Sequence, residues 1–358
     1  MKYKFEDIIH NVTAKKKPTE EDKYSYIALE HIDSENLNIT RWGADVAPSG
    51  EKIVIKKGDV LFGKRRAYQK KVAISPIDGI FSAHGMAFRP KEDVICKEFL
   101  PFFISSDTFL NEAIRISVGG LSPTINWKDI KELKFDLSPI EEQKRLAEKL
   151  WAAYEVKQSY LNMIAATDEM VKSQFIEMFG LNKEYPKDTA ILTMKEVASK
   201  LFAGGDKPSD YSDSPNEIYK YPIIANGVGE AGVIGYCKEP RVVEDALTIS
   251  ARGTIGYCAI RKAGFLPVVR LITLVPNNRV LLPYLKFYFE NVGFESTGAV
   301  QGQLTIPSIK DKKIVFQPLE IQKQFCTIVE QADKSKSELR KSIESINKVI
   351  KSLINENL

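Results

Sequence analysis

The sequence predicts an α+β chain: two similar mixed α/β globules joined by two long coiled-coil helices, with an internal repeat. Three observations lead there. Residues 138–180 and 317–358 each read as one uninterrupted helix with a heptad seam. The hexapeptides Pro139-Ile-Glu-Glu-Gln-Lys and Pro318-Leu-Glu-Ile-Gln-Lys open these helices and align without a gap, half a chain apart. The segments before them, 1–137 and 185–316, pass the same landmarks in the same order.

The first helix has a marked start. Ser138 suits the cap, Pro139 the first helical position, and Glu141 closes a capping box. No proline or glycine then intervenes before Gly180. Seam positions advance by fours and threes through Leu150, Tyr154, Lys157, Leu161, Ile164, Asp168, Val171, Phe175 and Met178, with Lys157 and Asp168 interrupting the apolar run. At about 1.5 Å per residue this makes a rod roughly 60 Å long. Such a seam asks for a partner helix. The second helix offers one, with Pro318 at its first position and a seam of Leu339, Ile343, Ile346, Ile350 and Leu353.

Residues 1–137 read as a short element at Phe5, a basic stretch through Lys17, then strands at 25–29, 52–55, 59–62, 72–75 and 79–88. A single helix over 98–114, a glycine-containing loop at 118–126 and a strand at 132–137 complete the globule. Residues 185–316 repeat this order. Met194-Lys-Glu-Val answers Phe5-Glu-Asp-Ile, Cys258-Ala-Ile answers Val72-Ala-Ile, and Leu282-Pro-Tyr-Leu answers Phe99-Leu-Pro-Phe-Phe. The loop Gly298 to Ile306 answers Gly119 to Ile125.

Composition narrows the function. Hydrophobic residues make up 44% and charged residues 27% of 358 residues, ordinary values for a globular chain of two or three domains. No apolar run reaches the roughly 18 residues of a membrane span, and the charged N-terminus lacks a secretory apolar core. Cys96, Cys237, Cys258 and Cys326 lie far apart, so neither a zinc spacing nor a disulfide framework emerges, and a cytoplasmic location is expected. The net charge of +4 is too small to argue for nucleic acid on its own.

Two strings imitate nucleotide sites. Gly227-Val-Gly-Glu-Ala-Gly232 fits a dinucleotide fingerprint, and a nucleotide-binding enzyme built on it is one alternative reading. A helix must open at those glycines to hold a pyrophosphate, whereas Val233-Ile-Gly-Tyr-Cys reads as strand. Gly58 to Lys64 nearly spells a phosphate loop, but Arg65 stands where a hydroxyl must reach magnesium. No catalytic motif or metal-ligand set is evident, so no catalytic residue and no cofactor is assigned to the chain.

Basic residues concentrate locally. Lys52, Lys56, Lys57, Lys64, Arg65, Arg66, Lys70 and Lys71 fall within one short stretch, interleaved with Tyr68 and Gln69. Such side chains neutralise phosphates and reach base edges; a solvated basic hairpin has the same composition. The second globule offers Arg252 and Arg270, with Lys238, Arg241, Arg261 and Lys262 nearby. The copied loops add Ser122, Thr124, Asn126, Gln301, Gln303 and Thr305, suited to hydrogen bonding along DNA and equally to turns. A coiled-coil scaffold that does not touch DNA is a further alternative.

A globule, a glycine-containing loop and the Pro-Leu/Ile-Glu-x-Gln-Lys helix start, all present twice, resemble the specificity subunit of type I restriction–modification systems. The stretch Ala203-Gly-Gly-Asp-Lys-Pro-Ser209 resembles a string recurrent in that family, with Lys207 in place of the commoner Thr. The resemblance implies a non-catalytic DNA-binding subunit. Residues 1–137 and 185–316 would be target recognition domains, each reading half of a bipartite double-stranded DNA sequence. Helices 138–180 and 317–358 would pack antiparallel as spacers that fix the unread gap, the two halves of the chain being related by a pseudo-twofold. Partners would be two methyltransferase (modification) subunits using S-adenosylmethionine, and restriction subunits using ATP and Mg.

Overall fold

The computed structural model describes residues 1–180, 190–294 and 303–355. It divides into two compact units, Met1–Asn162 with Leu339–Leu358, and Met163–Glu338. Each long helix, Ile140–Phe179 and Leu319–Asn355, is therefore shared between the units.

In the first unit, strand Lys2–Lys4 pairs antiparallel with Lys134–Asp136, which leads into the first long helix. Two four-stranded sheets lie between them in sequence, ordered 9–11, 86–90, 60–62, 72–74 and 15–16, 52–55, 79–81, 26–27. The central strand Val60–Phe62 is buried throughout because its alternating side chains serve two cores. Val60 and Phe62 join the aromatic cluster around Phe5, while Leu61 packs with Ala73, Phe81 and Ala87. The Phe5 ring lies 5.1–6.4 Å from those of Phe88, Phe103, Phe109, Trp127 and Phe135. Burying each such side chain contributes roughly 2–3 kcal/mol. Leu150 and Tyr154 of the first long helix and Ile354 of the second enter the same cluster.

Two expected elements are broken. The strand read over 79–88 is two strands, Gly79–Phe81 and Met86–Pro90, in different sheets. The Gly85 amide bonds back to Ser82 O, and a Cβ on Gly85 would lie 2.1 Å from the Phe81 ring. The helix read over 98–114 is also two, Leu100–Ser105 and Asp107–Arg115. Ser106 adopts extended backbone there, and its hydroxyl accepts from the Phe109 amide as a new cap.

The second unit follows the same plan. Ala190–Thr193 pairs antiparallel with Lys313–Phe316, ahead of the second long helix. Its sheets run 198–203, 272–276, 246–249, 258–261 and 233–237, 221–224, 266–267. Leu247 and Ile249 face the cluster built on Phe175, Phe179, Tyr284 and Phe325, and Ala246 faces a smaller one with Phe265. Among the described residues, a single helix, Leu282–Val292, stands where the first unit has two. Within this unit the long helices run antiparallel. Lys336 Nζ lies 2.7 Å from the Asp168 carboxylate, while further along Phe175 and Phe179 meet Phe325 at 5.2 and 5.5 Å.

The expected seam is unevenly buried. Leu150, Tyr154, Val171 and Phe175 are core residues, and the Tyr154 hydroxyl accepts from the Leu37 amide at 2.9 Å and bonds Asn36 at 2.6 Å. Ile164, Leu339, Ile343, Ile346, Ile350 and Leu353 are only half-buried, and Leu161 is 39% exposed. Near the chain's end Ile354, one residue beyond the expected seam, is the buried anchor. The interrupting Asp168 is matched by Lys336, and Lys157 Nζ donates to Glu35 O at 3.2 Å.

One residue of the repeated hexapeptide ties each globular part to its helix. Gln143 is 1% exposed; its Oε1 accepts from the Cys96 amide at 2.8 Å, and its Nε2 donates to Val94 O and Ser138 O at 3.0 and 2.8 Å. Gln322 is 0% exposed and does the same with the Leu281 amide at 2.9 Å, Arg279 O at 2.9 Å and Gln317 O at 2.8 Å. Glu141 and Glu320 instead pair with Lys144 and Lys323 on the helix surface.

Candidate nucleic-acid interface

In the first unit, the turn between strands 60–62 and 72–74 meets the loop 118–126. Arg66 and Lys70 adopt left-handed backbone (φ 56° and 51°) on either side of a 3-10 turn at Ala67–Gln69, so the segment coils instead of extending. Three backbone bonds seat it: Ile125 N to Lys64 O at 3.0 Å, Arg66 N to Pro123 O at 2.8 Å, and Arg65 N to His84 O at 3.2 Å. The Ser122 hydroxyl accepts from Arg65 Nε at 2.8 Å and from Arg66 Nε at 3.1 Å. Two exposed guanidinium groups thus converge on one neutral oxygen. Among the described residues, no carboxylate lies within 4.0 Å of either.

The surroundings are basic as well. His84 Nε2 lies 3.4 Å from Arg65 Nη1, and burial, followed by the Arg65 and Lys64 charges, holds its imidazole below the usual range. Half-buried Lys64 is likewise pushed down, by burial first and Lys15 second. Like charges gathered with no carboxylate in ion-pair reach among the described residues form a surface that favours an anion.

The other expected residues of this stretch are used elsewhere. Lys70 pairs with Asp107 at 3.1 Å, and Lys71 Nζ donates to Leu29 O at 2.5 Å. Lys52 is buried against Ser49 and Gly50 carbonyls. Gln69 is half-buried, with its carbonyl taken by Ser34, whereas Tyr68 is 54% exposed. Thr124 pairs with Val118 through both backbone groups. Asn126 is the residue before the short helix Trp127–Ile130, its amide reaching Asp129 at 3.4 Å.

The second unit builds a related surface with different side chains. Arg252 Nε donates to Gln303 Oε1 at 2.9 Å, and Leu304 N bonds Ala251 O at 3.0 Å. Asn226 bridges two segments: its Oδ1 accepts from the Ala251 amide, and its Nδ2 donates to Val269 O, both at 2.7 Å. Arg270 is exposed with φ 63°, beside Val269 at φ 52°. These residues follow the close passage of Gly204 against Pro267 and Val268, where a Cβ would lie 2.7 Å from backbone atoms. That approach gives the Ala203–Ser209 string a physical reason for its glycine. Lys207 sits 3.3 Å from the centre of the Tyr211 ring. Thr305 caps the helix Ile306–Ile309 through Ser308, and Gln301 lies outside the described residues. Lys238 and Lys262 are neutralised by Asp210 and Asp245, whereas Arg252 and Arg270 have no carboxylate within ion-pair distance among the described residues.

The nucleotide-like strings have other uses. Gly229–Gly232 forms a 3-10 turn between strands Tyr221–Ile224 and Val233–Cys237, which pair antiparallel. Gly58, at φ 91°, turns the chain into Val60–Phe62. Among the described residues, no group of three or more His, Cys, Asp or Glu side chains converges to hold a metal, and no helix is long and apolar enough to cross a membrane.

Sequence reasoning missed His84, Asn226 and the buried glutamines. His84 and Asn226 reach their sites through strand pairing across many residues, a relation no local pattern displays. The glutamines stood in plain view inside the repeated hexapeptide.

A duplicated α+β chain, with uncompensated arginines set against a copied loop in each unit, defines a protein class in which two related surfaces share two helices. The chain belongs to the family described as the type I restriction modification DNA specificity domain, whose model matches residues 2–159 and again residues 186–349. It is 30% identical over 217 residues to a Mycoplasma pneumoniae protein named as a type I specificity subunit, covering 59% of this chain and 58% of the relative, so it spans well under two thirds of that protein. A Methanocaldococcus jannaschii protein named as a type I restriction enzyme specificity subunit is 25% identical over 98% of this chain and 89% of its own length. Two solved structures share the fold. One, from work on assembly and conformational transition of a type I R-M system, has a TM-score of 0.60 at 20% identity, covering 100% of this chain and 97% of that one. The other, a type I system S subunit from M. genitalium, has a TM-score of 0.55 at 16% identity, covering 99% and 94%.

Proposed function

We propose that this chain is the sequence-specific DNA-binding subunit of a type I restriction–modification assembly, itself without catalytic activity. Residues 1–137 and 185–316 act as target recognition domains, each reading one half of a bipartite duplex. The long helices set the gap between half-sites and carry two modification subunits. Those subunits supply S-adenosylmethionine-dependent adenine methylation, and restriction subunits add ATP- and Mg-dependent cleavage. The reading places the protein in the cytoplasm, in keeping with its four buried free thiols.

The observation that carries this reading is the repeated exposed arginine held by a neutral oxygen of the copied loop, Arg65 on Ser122 and Arg252 on Gln303. A protein surface keeps such charge uncompensated when a polyanion completes it. The test joins the full chain to the modification subunits of its system and maps methylated adenines. Replacing residues 1–137 with the corresponding segment of another family member should change one half-site and leave the other intact. Changes in both halves, or in neither, would refute the division of labour. Fluorescence anisotropy should show affinity falling steeply with salt; a flat response would favour a scaffold that does not touch DNA.

A further inference from the structure

An arginine reads guanine best when its guanidinium is held in one plane and orientation, because the contact is a two-pronged fork onto O6 and N7. A phosphate contact draws on the charge and carries no sequence information. The two units show the same way of aiming. Arg65 Nε is fixed by Ser122 Oγ at 2.8 Å, and Arg252 Nε by Gln303 Oε1 at 2.9 Å. A carboxylate in either place would also aim the group, but it would neutralise it. A hydroxyl and an amide oxygen aim it and leave the charge for the ligand.

The backbone beneath each arginine is pinned from separate segments. Arg65 N donates to His84 O, and Lys64 O accepts from Ile125 N. In the second unit Ala251 is held by Asn226 on one side and Leu304 on the other. Among the described residues only the single Nε hydrogen is consumed at Arg252, and at Arg65 His84 engages one further nitrogen at 3.4 Å. Of five N–H donors, a two-hydrogen fork remains in both cases.

We infer that Arg65 and Arg252 each read a guanine, one per half-site, and that Ser122 and Gln303 are positioning residues that aim them. This rests on the DNA-reading function proposed above and specifies what it reads. The full chain, assembled with modification subunits, is used to select duplexes from a randomised library at fixed salt. The wild-type assembly should demand a G·C pair at one position in each half-site. Arg65→Lys should reduce that demand roughly tenfold to a hundredfold in one half-site and leave the other unchanged; Arg252→Lys should do the converse. Ser122→Ala should relax the same position as Arg65→Lys, by less, with an unchanged unfolding midpoint. It therefore decides the point even where Arg65→Lys does not fold. Equal loss on every sequence would make these arginines phosphate contacts and overturn the inference, as would half-sites that tolerate any base pair at every position the variants affect. A wild-type assembly with no sequence preference would overturn the DNA-reading function instead.

Discussion

At the start of the first long helix Gln143 grips the Cys96 amide and the Val94 carbonyl; at the start of the second, Gln322 grips the Leu281 amide and the Arg279 carbonyl. The exposed turns present a contrast. Lys64-Arg-Arg-Ala-Tyr in the first unit stands against Ala251-Arg-Gly-Thr-Ile in the second, with Ser122 and Gln303 as the respective oxygens. The joint is kept to the atom while the surface is rewritten. Contacts from a side chain to backbone tolerate divergence, since every residue supplies an amide and a carbonyl. Contacts between side chains change whenever either residue does.

The sharpest way to break this comparison is at the joint. Gln143→Ala and Gln322→Ala each leave a buried amide and carbonyls unsatisfied, at a cost of about 3 kcal/mol. Urea unfolding followed by a probe in each unit should show equal losses, each confined to its own unit; a twofold difference between them would mean the joints are not equivalent. Next comes the extra charge of the first surface. Arg66→Ala should weaken DNA binding about tenfold and lower the log–log salt slope by about one. The second unit has Gly253 at the matching place. An unchanged slope would remove Arg66 from the interface.

Smaller effects sharpen the contrast. Ser106→Ala removes the cap that restarts the broken helix of the first unit and should cost about 1 kcal/mol by chemical denaturation. Leu282–Val292 has no such break to protect. Last is acid sensitivity. The Lys351 and Lys70 ammonium groups hold the Asp107 carboxyl below its ordinary range. Because the folded value is the lower one, its contribution is complete above the unfolded value of about 4 and disappears as pH falls through the folded value. Once corrected for the intrinsic pH dependence of amide exchange, protection in residues 343–355 should therefore fall at acid pH, and Asp107→Asn should show the reduced protection already at neutral pH. A variant with wild-type exchange at both would remove Asp107 as an anchor.

The architecture was legible because its signals are long and repeated: helices of 40 and 37 residues, prolines at their starts, and landmarks in matching order. Breaks were less legible. Ser106-Asp107 is a cap followed by an acid, a helix-start signal hidden inside an apolar run that continues on both sides. The basic stretch misled in another way. Adjacent lysines and arginines read as one patch, yet the left-handed residues Arg66 and Lys70 bracket a turn that sends Lys70 and Lys71 inward while Arg65 and Arg66 stay exposed. The seam also overpromised at Leu161, since heptad spacing marks a helix face but not how deeply a neighbour covers it.

The joint behaves as a socket moulded from main chain. Each glutamine asks only for one carbonyl and one amide two residues further on, Val94 and Cys96 in one case, Arg279 and Leu281 in the other. Neither demand names a side chain. A foreign globule with the same local bend would therefore meet this joint without a matching mutation, while its core must still pack on Leu150, Tyr154 and Ile354 of the helices. A lineage could acquire a new globule by splicing at the hexapeptide, leaving both long helices unaltered.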